Sequence, residues 1–575
     1  WCIHCQTALS DIEVEHKEVE GKLWFIKYGD ITVATTRPET MLGDTAVAVN
    51  PSDKRYQDLV GQKVILPLTN REIPIIADES VDPKFGTGAV KVTPAHDPND
   101  FGIGERHQLE RIKVIDETGK ITQLTPLGCK FTGQKVLEAR ENIIKDLESQ
   151  GLIEKVQDYT HQVPHCYRCG RQVEQLMSKQ WFLKMKELIK PAIAAVEKDE
   201  IKFTPTRWKR VSLDWMKNIQ DWCISRQIWW GHRLPVFVKR EECKMQNAKC
   251  KINEDYYIGD NPPEGYKQID DVLDTWFSSA LWPFATLGWP QDSKDVIANK
   301  AKQSYNQIAA SPSAPRNDTV NDLDYFYPTT TLSTARDILY LWVARMIFSG
   351  YEFMGKKPFD TVYIHPTIFN IEGKRMSKSL GTGIDPLELI EKYGADATRF
   401  GLTYINTGIQ DIKFDENAIL AGQKFANKIW NIARFVLQNA TVIASEAPLG
   451  IQQSIKTAAA TPRSDNDKKI LDSLNSLIIS VNSDLGNFRF GQAAHDLYDF
   501  IWHDFADIYI EKCKVQNANG KIDENTQDIL LYVLTTSLKL LHPMMPFLTE
   551  SIWQTLLAQN LVKEKYLKIA SWPEK

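Results

Sequence analysis

The pattern of apolar and polar positions in the first 160 residues is that of short strands. Apolar and β-branched residues cluster in three runs at 31–34, 45–49 and 86–93, and Gly86 and Gly88 open the last of these. Runs of this length and composition predict β-strands. The chain is therefore expected to begin as a β-rich module.

From about residue 417 the apolar positions recur at three- and four-residue intervals, which is the period of an amphipathic helix. A third helix is predicted from about Ile529, and His542-Pro543 ends it because proline disfavours helix in the residue before it. The end of the chain is thus predicted to be an α-helical bundle. Two helical faces carry this pattern: Phe425, Ile429, Ala433 and Val436, then Leu474, Leu477, Val481 and Leu485.

Composition narrows the class of protein. At 575 residues the chain should form about three or four domains, with loops or linkers predicted at 291–324 and about 447–467. No apolar run approaches the roughly 18 residues that span a membrane, so no membrane partner is expected. The net charge of −5 excludes general attraction to polyanions, so nucleic-acid contact would need local basic patches such as Arg207-Trp208-Lys209-Arg210.

Nine cysteines without a signal peptide indicate a reducing compartment, and a cytoplasmic location is expected. Four of them form two Cys-x-x-Cys knuckles, Cys2 with Cys5 and Cys166 with Cys169, and two such knuckles can complete a tetrahedral structural zinc site. If the knuckles share one ion, residues 6–165 are a domain inserted into another domain. The alternative is two unrelated pairs of buried thiols.

A short loop, Gly373-Lys-Arg-Met-Ser-Lys-Ser-Leu-Gly381, combines cations, hydroxyls and glycines. Such a loop can move over a triphosphate, with Lys378 neutralising charge on the departing pyrophosphate. By composition alone, a solvated basic loop is an equally open interpretation.

Together with the downstream run Tyr393-Gly-Ala-Asp-Ala-Thr-Arg399-Phe, this loop resembles the Lys-Met-Ser-Lys-Ser region of class I aminoacyl-tRNA synthetases. Arg375 replaces the first lysine, and a planar guanidinium is not equivalent to an ammonium group. The resemblance implies ATP and Mg²⁺ as cofactors, and a Rossmann-type catalytic domain. It also implies catalytic and ATP-binding roles for Ser377, Lys378, Ser379 and His365.

Two further segments are similar to the valyl branch of this family: 274–290, beginning Asp-Thr-Trp-Phe-Ser-Ser, and 93–100, Thr-Pro-Ala-His-Asp-Pro-Asn-Asp. The resemblance implies that Trp276 and Asp337 belong to an amino-acid pocket, although Trp276 could equally be a core residue. Ala335 and Pro366 stand where the family usually has glycine.

A hydrophobic pocket for valine cannot strongly reject threonine, which only adds a hydroxyl, so this branch needs a second, hydrolytic site. Lys91 and Thr93 alternate along one strand and can face one cleft. Asp97 could pair with the substrate ammonium group, and Asp97 or Asp100 could position water. The alternative interpretation is that Lys91 is solvated and that Asp97 and Asp100 only cap a turn. The resemblance implies an editing site of Thr35, Thr36, Arg37, Phe85, Lys91, Thr93, Asp97 and Asp100, with Arg37 anchoring the terminal adenosine.

The expected fold class is α/β, with four segments: a catalytic remnant with the first knuckle (1–10), an editing insertion (11–158), the second half of the catalytic domain (159–415) and an anticodon-binding bundle (416–575). In the bundle, Trp430 and Trp502 are expected to pack in the core.

The implied function is that of a valine–tRNA ligase: activation of valine with ATP, transfer to valine tRNA, and hydrolysis of threonyl-tRNA, by a monomer. An isoleucyl-type synthetase, a freestanding editing deacylase and a non-catalytic RNA-binding relative are the alternatives. The chain starts without methionine and without a His-Ile-Gly-His motif, so this piece alone is expected to form no valyl-adenylate.

Overall fold

The computed structural model describes residues 1–123, 130–240, 254–290, 321–376, 381–408, 411–439, 464–516 and 522–574. These residues form two compact units. The first comprises Trp1–Lys202, Lys209–Thr330 and Asp337–Asp360, and the second comprises Phe203–Trp208, Thr331–Arg336 and Thr361–Lys575. Both predicted linkers, at 291–324 and 447–467, lie mostly outside the described residues.

The first unit contains a long antiparallel strand pair, formed by Val14–Tyr28 and Ile153–Cys166. Its register places Val14 opposite Cys166, and the short strand Ile31–Thr35 completes the sheet along the other edge of Val14–Tyr28. This strand pair therefore brings residues far apart in sequence to one end of a sheet.

A four-stranded sheet lies beside this strand pair in the same unit. Ala46–Val49 pairs in parallel with Arg71–Ala77 and antiparallel with Ala89–Val92, while Lys63–Leu66 forms the far edge. Helices Pro98–His107 and Val136–Ser149 follow these strands in sequence. The core of the module is apolar and largely β-branched, including Ile26, Ile31, Val33, Val47, Val49, Ile73, Ile75, Val114, Ile143 and Leu147.

The rest of the first unit mixes short strands and helices. The strands are Phe182–Leu183, Trp222–Cys223, Ser225–Arg226, Val236–Arg240, Glu254–Ile258, Lys267–Gln268 and Val272–Leu273. The helices are Met185–Leu188, Lys190–Glu197, Thr275–Ala280, Trp282–Ala285, Asp322–Phe326, the π-helix Leu339–Val343 and Ala344–Met354. Helix Arg207–Lys217 begins in the second unit and continues in the first.

The second unit is mainly helical. A three-stranded sheet has the order Thr329–Thr334, Phe359–Ile364, Lys202–Thr204, and Thr367–Phe369 pairs in parallel with Asp411–Lys413. The helices are Pro386–Tyr393, Ala395–Tyr404, Glu416–Asn439, Asp465–Gly486, Phe490–Asp499, the π-helix Phe500–Ile510, Glu511–Gln516, Glu524–Leu541 and Pro546–Ala558. Most of them enclose an apolar core that contains Phe425, Leu474, Phe505, Leu534 and Trp553. Helix Pro386–Tyr393 contributes Leu389 to a smaller cluster with Phe414 and Ile419.

The predicted change from strands to helices along the chain is confirmed. The third predicted strand is shorter than expected and runs only over Ala89–Val92, because Gly86 and Gly88 adopt positive φ in the turn before it. The third predicted helix begins earlier, at Glu524, and ends with His542 as its C-cap. None of the helices within the described ranges is long and apolar enough to cross a membrane.

Candidate functional site

The four cysteines of the two knuckles meet at one point. Their sulfur atoms all lie within 4.8 Å of one another, and Cys2 Sγ is 3.5 Å from Cys169 Sγ. The pairing of Val14 with Cys166 carries the second knuckle back to the first. Burial raises the pKa of Cys2 and raises that of Cys5 to about 12. A tetrahedral sulfur donor set of this kind fits Zn²⁺.

Lys91 and Thr93 lie on one face of their strand, in a closed polar cluster. Lys91 Nζ donates to Thr40 Oγ1 at 2.9 Å, to Thr93 Oγ1 at 2.7 Å and to Asp44 Oδ1 at 3.4 Å. Tyr28 Oη donates to Asp44 Oδ2 at 2.8 Å, and Thr93 Oγ1 also donates to Asp44. An ammonium group has three protons, so the protein itself supplies partners for all of them.

The alternative interpretation of Lys91 as a solvated residue at the edge of the sheet is wrong, because only 7% of Lys91 is exposed. Asp44 and Tyr28 were missed by the sequence analysis. One signal was available: Asp44 is the single charged residue between the apolar pairs Met41-Leu42 and Ala46-Val47. A charge in such a run is normally buried against a partner.

The two aspartates of the predicted site occupy different environments. Asp97 is exposed and caps helix Pro98–His107, accepting hydrogen bonds from the backbone of Asn99 and Asp100. Asp100 is buried and accepts a hydrogen bond from Thr93 N at 2.8 Å. Burial, supported by the charge of Asp97, raises the pKa of Asp100 to about 7. A carboxyl that titrates near neutrality is suited to accept a proton from water.

The residue between Thr93 and Asp97 that fixes this segment is His96. Its Nδ1 lies 3.0 Å from Gln175 O, and its Nε2 accepts a hydrogen bond from Val114 N at 2.7 Å. These partners require the neutral tautomer with the proton on Nδ1. Burial lowers the pKa of His96 to about 4, so the ring stays neutral at physiological pH.

Arg37 does not project freely from the Thr-Thr-Arg-Pro-Glu-Thr segment. Its Nε donates to Glu39 Oε1 at 3.0 Å, and its Nη2 donates to Glu174. Glu39 is fully buried and is held in addition by Arg140. Thr35 Oγ1 accepts a hydrogen bond from Arg37 N at 3.0 Å, and Thr36 is half-buried. The predicted anchoring of a terminal adenosine by Arg37 would therefore have to share this guanidinium with two carboxylates.

Phe85 is 41% exposed and contacts the ring of Tyr159 edge-on, with centroids 6.0 Å apart. Of the predicted hydrolytic residues, direct hydrogen bonds join Lys91 to Thr93, Thr93 to Asp100, Asp100 to Asp97, and Arg37 to Thr35. No such bond is recorded among the described residues between Phe85 and the others. The sequence carried no signal for Arg140 and Glu174, because their partners Glu39 and Arg37 are more than 100 positions away.

A buried charge cluster, which the sequence analysis missed, lies at the start of the helix that carries Trp276. Asp274 Oδ1 caps Trp276 N at 3.0 Å, and Oδ2 accepts hydrogen bonds from Trp222 Nε1 and Arg226 Nη2, both at 2.9 Å, and from Arg345 Nη1 at 3.2 Å. Arg345 also lies 3.6 Å from the centroid of the Trp222 ring. The helix that carries Trp276 thus begins on a rigid, charged support.

Trp276 is half-buried and Asp337 is exposed, just before the π-helix Leu339–Val343. Trp342 Nε1 of that π-helix donates to Ser279 O at 3.0 Å, which ties it to the helix of Trp276. A cavity of about 460 Å³ in the same unit is lined by Trp222 and Arg345, but neither Trp276 nor Asp337 lines it. The predicted pocket residues Trp276 and Asp337 therefore lie outside this cavity.

Ser377, Lys378 and Ser379 lie outside the described residues, so their predicted roles stay predictions. His365 is exposed at the end of strand Phe359–Ile364, its backbone N–H donates to Thr334 O at 3.0 Å, and its ring donates to Pro366 O. Arg375 is exposed and forms an isolated backbone bridge with Phe369.

The family profile of tRNA synthetases class I (I, L, M and V) matches residues 1–308 and 304–415. The chain belongs to this family. A second profile, the anticodon-binding domain of tRNA ligase, matches residues 467–575. The predicted fold class, a class I synthetase catalytic fold followed by a helical bundle, is confirmed.

Two relatives of this synthetase chain are valine–tRNA ligases. That of Petrotoga mobilis is 48% identical over 588 residues, and that of Thermotoga maritima is 49% identical over 582 residues. Each alignment covers 100% of this chain but 61% of the relative, so the chain spans about three fifths of the length of these relatives. A solved LeuRS from Agrobacterium radiobacter K84, in a ternary complex with tRNA and LeuAMS, is similar at 18% identity and a TM-score of 0.44, covering 97% of this chain and 63% of that one. This last likeness carries no argument about the site.

In the helical unit, the Tyr-Gly-Ala-Asp segment noted in the sequence contacts the start of a later helix. Asp396 of the Tyr-Gly-Ala-Asp segment accepts hydrogen bonds from Phe547 N and Leu548 N at the start of helix Pro546–Ala558. Arg399 Nη2 donates to Pro543 O at 2.9 Å. A carboxylate at a helix N-terminus is favourable because unpaired N–H groups and the helix dipole both attract it.

The predicted basic patch at 207–210 is partly paired with nearby acids. Lys209 pairs with Asp199 at 2.7 Å, and Arg210 lies 3.8 Å from Asp214, so local acids neutralise much of the predicted basic patch. The expectation that Trp430 packs in the core is wrong, since it is 46% exposed. Trp502 is half-buried and stacks on Tyr498 at 5.3 Å between ring centroids.

Proposed function

We propose that this chain is the greater part of a valine–tRNA ligase, which activates valine with ATP and Mg²⁺, transfers it to valine tRNA, and hydrolyses threonyl-tRNA at the β-rich module. The observation that carries the proposal is the 48–49% identity to valine–tRNA ligases along the entire chain. A cytoplasmic location and a monomeric state belong to the same proposal.

The hydrolytic step is proposed for the segment from Thr93 to Asp100. Asp97 is exposed at a helix N-terminus, where its carboxylate can meet the α-ammonium group of the threonyl ester. Asp100, with a pKa near 7, would take a proton from the attacking water. Lys91 and Thr93 would act through position, since the cluster with Asp44 holds both.

The four-cysteine cluster is proposed to hold Zn²⁺ through Cys2, Cys5, Cys166 and Cys169. The metal would supply a structural cross-link between the two ends of the inserted module and would take no part in the reaction. The sulfur-only donor set and the mutual approach of the four atoms support this assignment.

For the synthetic reaction, Trp276 and Asp337 are proposed to line the amino-acid pocket, and His365 and the 375–379 loop to bind ATP, with Lys378 stabilising the leaving pyrophosphate. Asp274 supports Trp276 by capping its helix and by holding the buried arginines.

The test uses the protein encoded by the complete reading frame. We expect valine-dependent exchange of pyrophosphate into ATP, charging of valine tRNA, and release of threonine from mischarged threonyl-tRNA. Asp97→Ala should abolish most of the release while leaving valine activation unchanged. Undiminished release by Asp97→Ala would remove the hydrolytic assignment, and activation of isoleucine in preference to valine would favour the isoleucyl alternative.

The 575-residue chain by itself tests the alternative of a freestanding editing deacylase. A freestanding deacylase would release threonine from threonyl-tRNA at the full rate with no other segment present. A chain that needs the rest of the synthetase would release it slowly or not at all, and neither would catalyse the exchange reaction.

A further inference from the structure

The segment that follows the second knuckle is fixed to the cysteine cluster. Val173 is buried against Cys2 and Cys166, and its N–H donates to Pro164 O at 3.0 Å. Glu174 N donates to Trp1 O, and Trp1 N donates to Glu174 O, both at 2.9 Å. Residues 173 and 174 are thus held by both ends of the inserted module.

From this fixed position, the side chain of Glu174 reaches the hydrolytic module. Glu174 is only 5% exposed and accepts a hydrogen bond from Arg37 Nη2. Arg37 and Arg140 share the fully buried Glu39 on the other side. Burial alone would raise the pKa of Glu39, but the charges of the two arginines outweigh burial and lower it to about 2. The four side chains form a charge-balanced set, so removing one carboxylate leaves a buried positive charge uncompensated.

Gln175, the next residue along the chain, contacts the Thr-Pro-Ala-His-Asp segment through His96. Gln175 O accepts the Nδ1 proton of His96 at 3.0 Å, while His96 Nε2 accepts a hydrogen bond from Val114 N. His96 is 3% exposed and directly precedes Asp97 in sequence. Two consecutive residues therefore contact the Thr-Thr-Arg-Pro-Glu-Thr segment and the Thr-Pro-Ala-His-Asp segment, which are 59 positions apart in the chain, counted from Arg37 to His96.

We propose that Glu174 and Gln175 are positioning residues of the hydrolytic site, which fix Arg37 and Asp97 relative to each other from outside the inserted module. The inference rests on the proposed function and adds two residues to that site. A misplacement of about 1 Å can reduce catalysis about a hundredfold. Since Arg37 is the expected contact of the tRNA end, the loss should fall mainly on tRNA binding at this site.

The decisive variant is Glu174→Gln in the complete protein, with Glu154→Gln as the matched control. Glu154 is an exposed residue of strand Ile153–Cys166, and its carboxylate accepts a hydrogen bond from Thr32 Oγ1 at 2.7 Å. We expect Glu174→Gln to raise the KM for threonyl-tRNA in the deacylation assay about tenfold, with a smaller change in kcat and unchanged valine-dependent pyrophosphate exchange. Glu154→Gln should match the wild type in all three.

A double-mutant cycle tests whether Glu174 acts through Arg37. Glu174→Gln should cause no further loss when Arg37 is already alanine, because coupled residues are not additive. Additive losses would overturn the inference. Glu174→Asp, which keeps the charge, should recover part of the activity, and it replaces Glu174→Gln if the latter fails to fold.

Hydrogen exchange separates failure of the inference from failure of the proposed function. Thr40 N donates to Arg37 O at 3.2 Å, so its amide should exchange faster in Glu174→Gln than in the wild type. Faster exchange in a protein without deacylase activity would keep the positioning role and remove only the proposed function. Unchanged exchange together with unchanged deacylation kinetics would overturn the positioning role itself.

Discussion

The ammonium group of Lys91 lies 3.4 Å from a carboxylate oxygen of Asp44, and the exposed fractions of the two side chains are 8% and 0%. Because Thr40, Thr93 and Tyr28 complete the hydrogen bonds of this pair, neither charge needs water. A buried pair of this kind is costly to break, since removal of one partner leaves the other charge unpaired in a medium of low polarity.

Asp44→Asn should therefore lower the free energy of unfolding by about 3–5 kcal/mol, measured by urea denaturation. The control is Glu72→Gln, which removes a surface partner of Lys63 at 3.2 Å where both side chains are about two-thirds exposed. That control should change stability by less than about 1 kcal/mol. Equal effects of the two variants would show that burial of the Lys91–Asp44 pair has no energetic role.

Asp100 should make stability fall as pH rises toward neutrality. Its pKa is about 7 in the folded protein against about 3.9 unfolded. Between these pH values the folded state keeps a proton that the unfolded state has lost. The contribution of Asp100 to the free energy of unfolding is therefore complete below about pH 4 and is lost as the pH rises through about 7. The difference in unfolding free energy between wild type and Asp100→Asn should shift by roughly 4 kcal/mol over this range. Urea curves at several pH values measure it, and a constant difference would contradict the raised pKa.

Asp274→Asn should destabilise the first unit, because Arg226 and Arg345 are each 4% exposed and would keep only Glu13 as a carboxylate partner in this cluster. The expected loss is about 3–5 kcal/mol, with a raised KM for valine in the complete protein because Trp276 loses its support. Asp270→Asn is the control, since Asp270 is 95% exposed and pairs with Arg233 at the surface. A raised valine KM in the control as well would argue against a specific role for Asp274.

The cysteine cluster should bind one zinc ion per chain, measured by elemental analysis of the purified protein. Cys166→Ser should lose the metal and melt at a lower temperature. Cys223→Ser should keep it, because Cys223 is buried but lies outside the four-sulfur group. Full zinc content in Cys166→Ser would exclude the cluster as the binding site.

Part of the fold followed from local patterns. The helices Glu416–Asn439 and Asp465–Gly486 were predictable because apolar residues at helical spacing leave one face to bury. The strand Ala46–Val49 was predictable for the corresponding reason in β-structure. The π-helix Phe500–Ile510 was not predicted, since its apolar residues lie on more than one face and give no clean helical period. The helix Phe490–Asp499 was missed although its buried residues Ala493, Ala494 and Leu497 recur at helical spacing.

The candidate site was only half predictable. Lys91, Thr93 and Asp100 stand in one short segment, so their proximity follows from the chain itself. Asp44 pairs with Lys91 and Glu174 pairs with Arg37 through contacts between distant segments, and nothing in their local sequence specifies these partners. The interpretation of Trp430 as a core residue was wrong for the same reason: an aromatic residue on an amphipathic helix is buried only if another element covers it.

The sequence by itself determined the order of β-rich and helical parts, the two cysteine knuckles and the family, because each depends on residues close together in the chain. The tertiary structure alone decided which charges are buried together, as with Arg37 and Glu174 or Asp274 and Arg345. The physical reason is that a charge leaves water only where another segment supplies its counter-charge. The pairing of strands Val14–Tyr28 and Ile153–Cys166 brings such distant segments together.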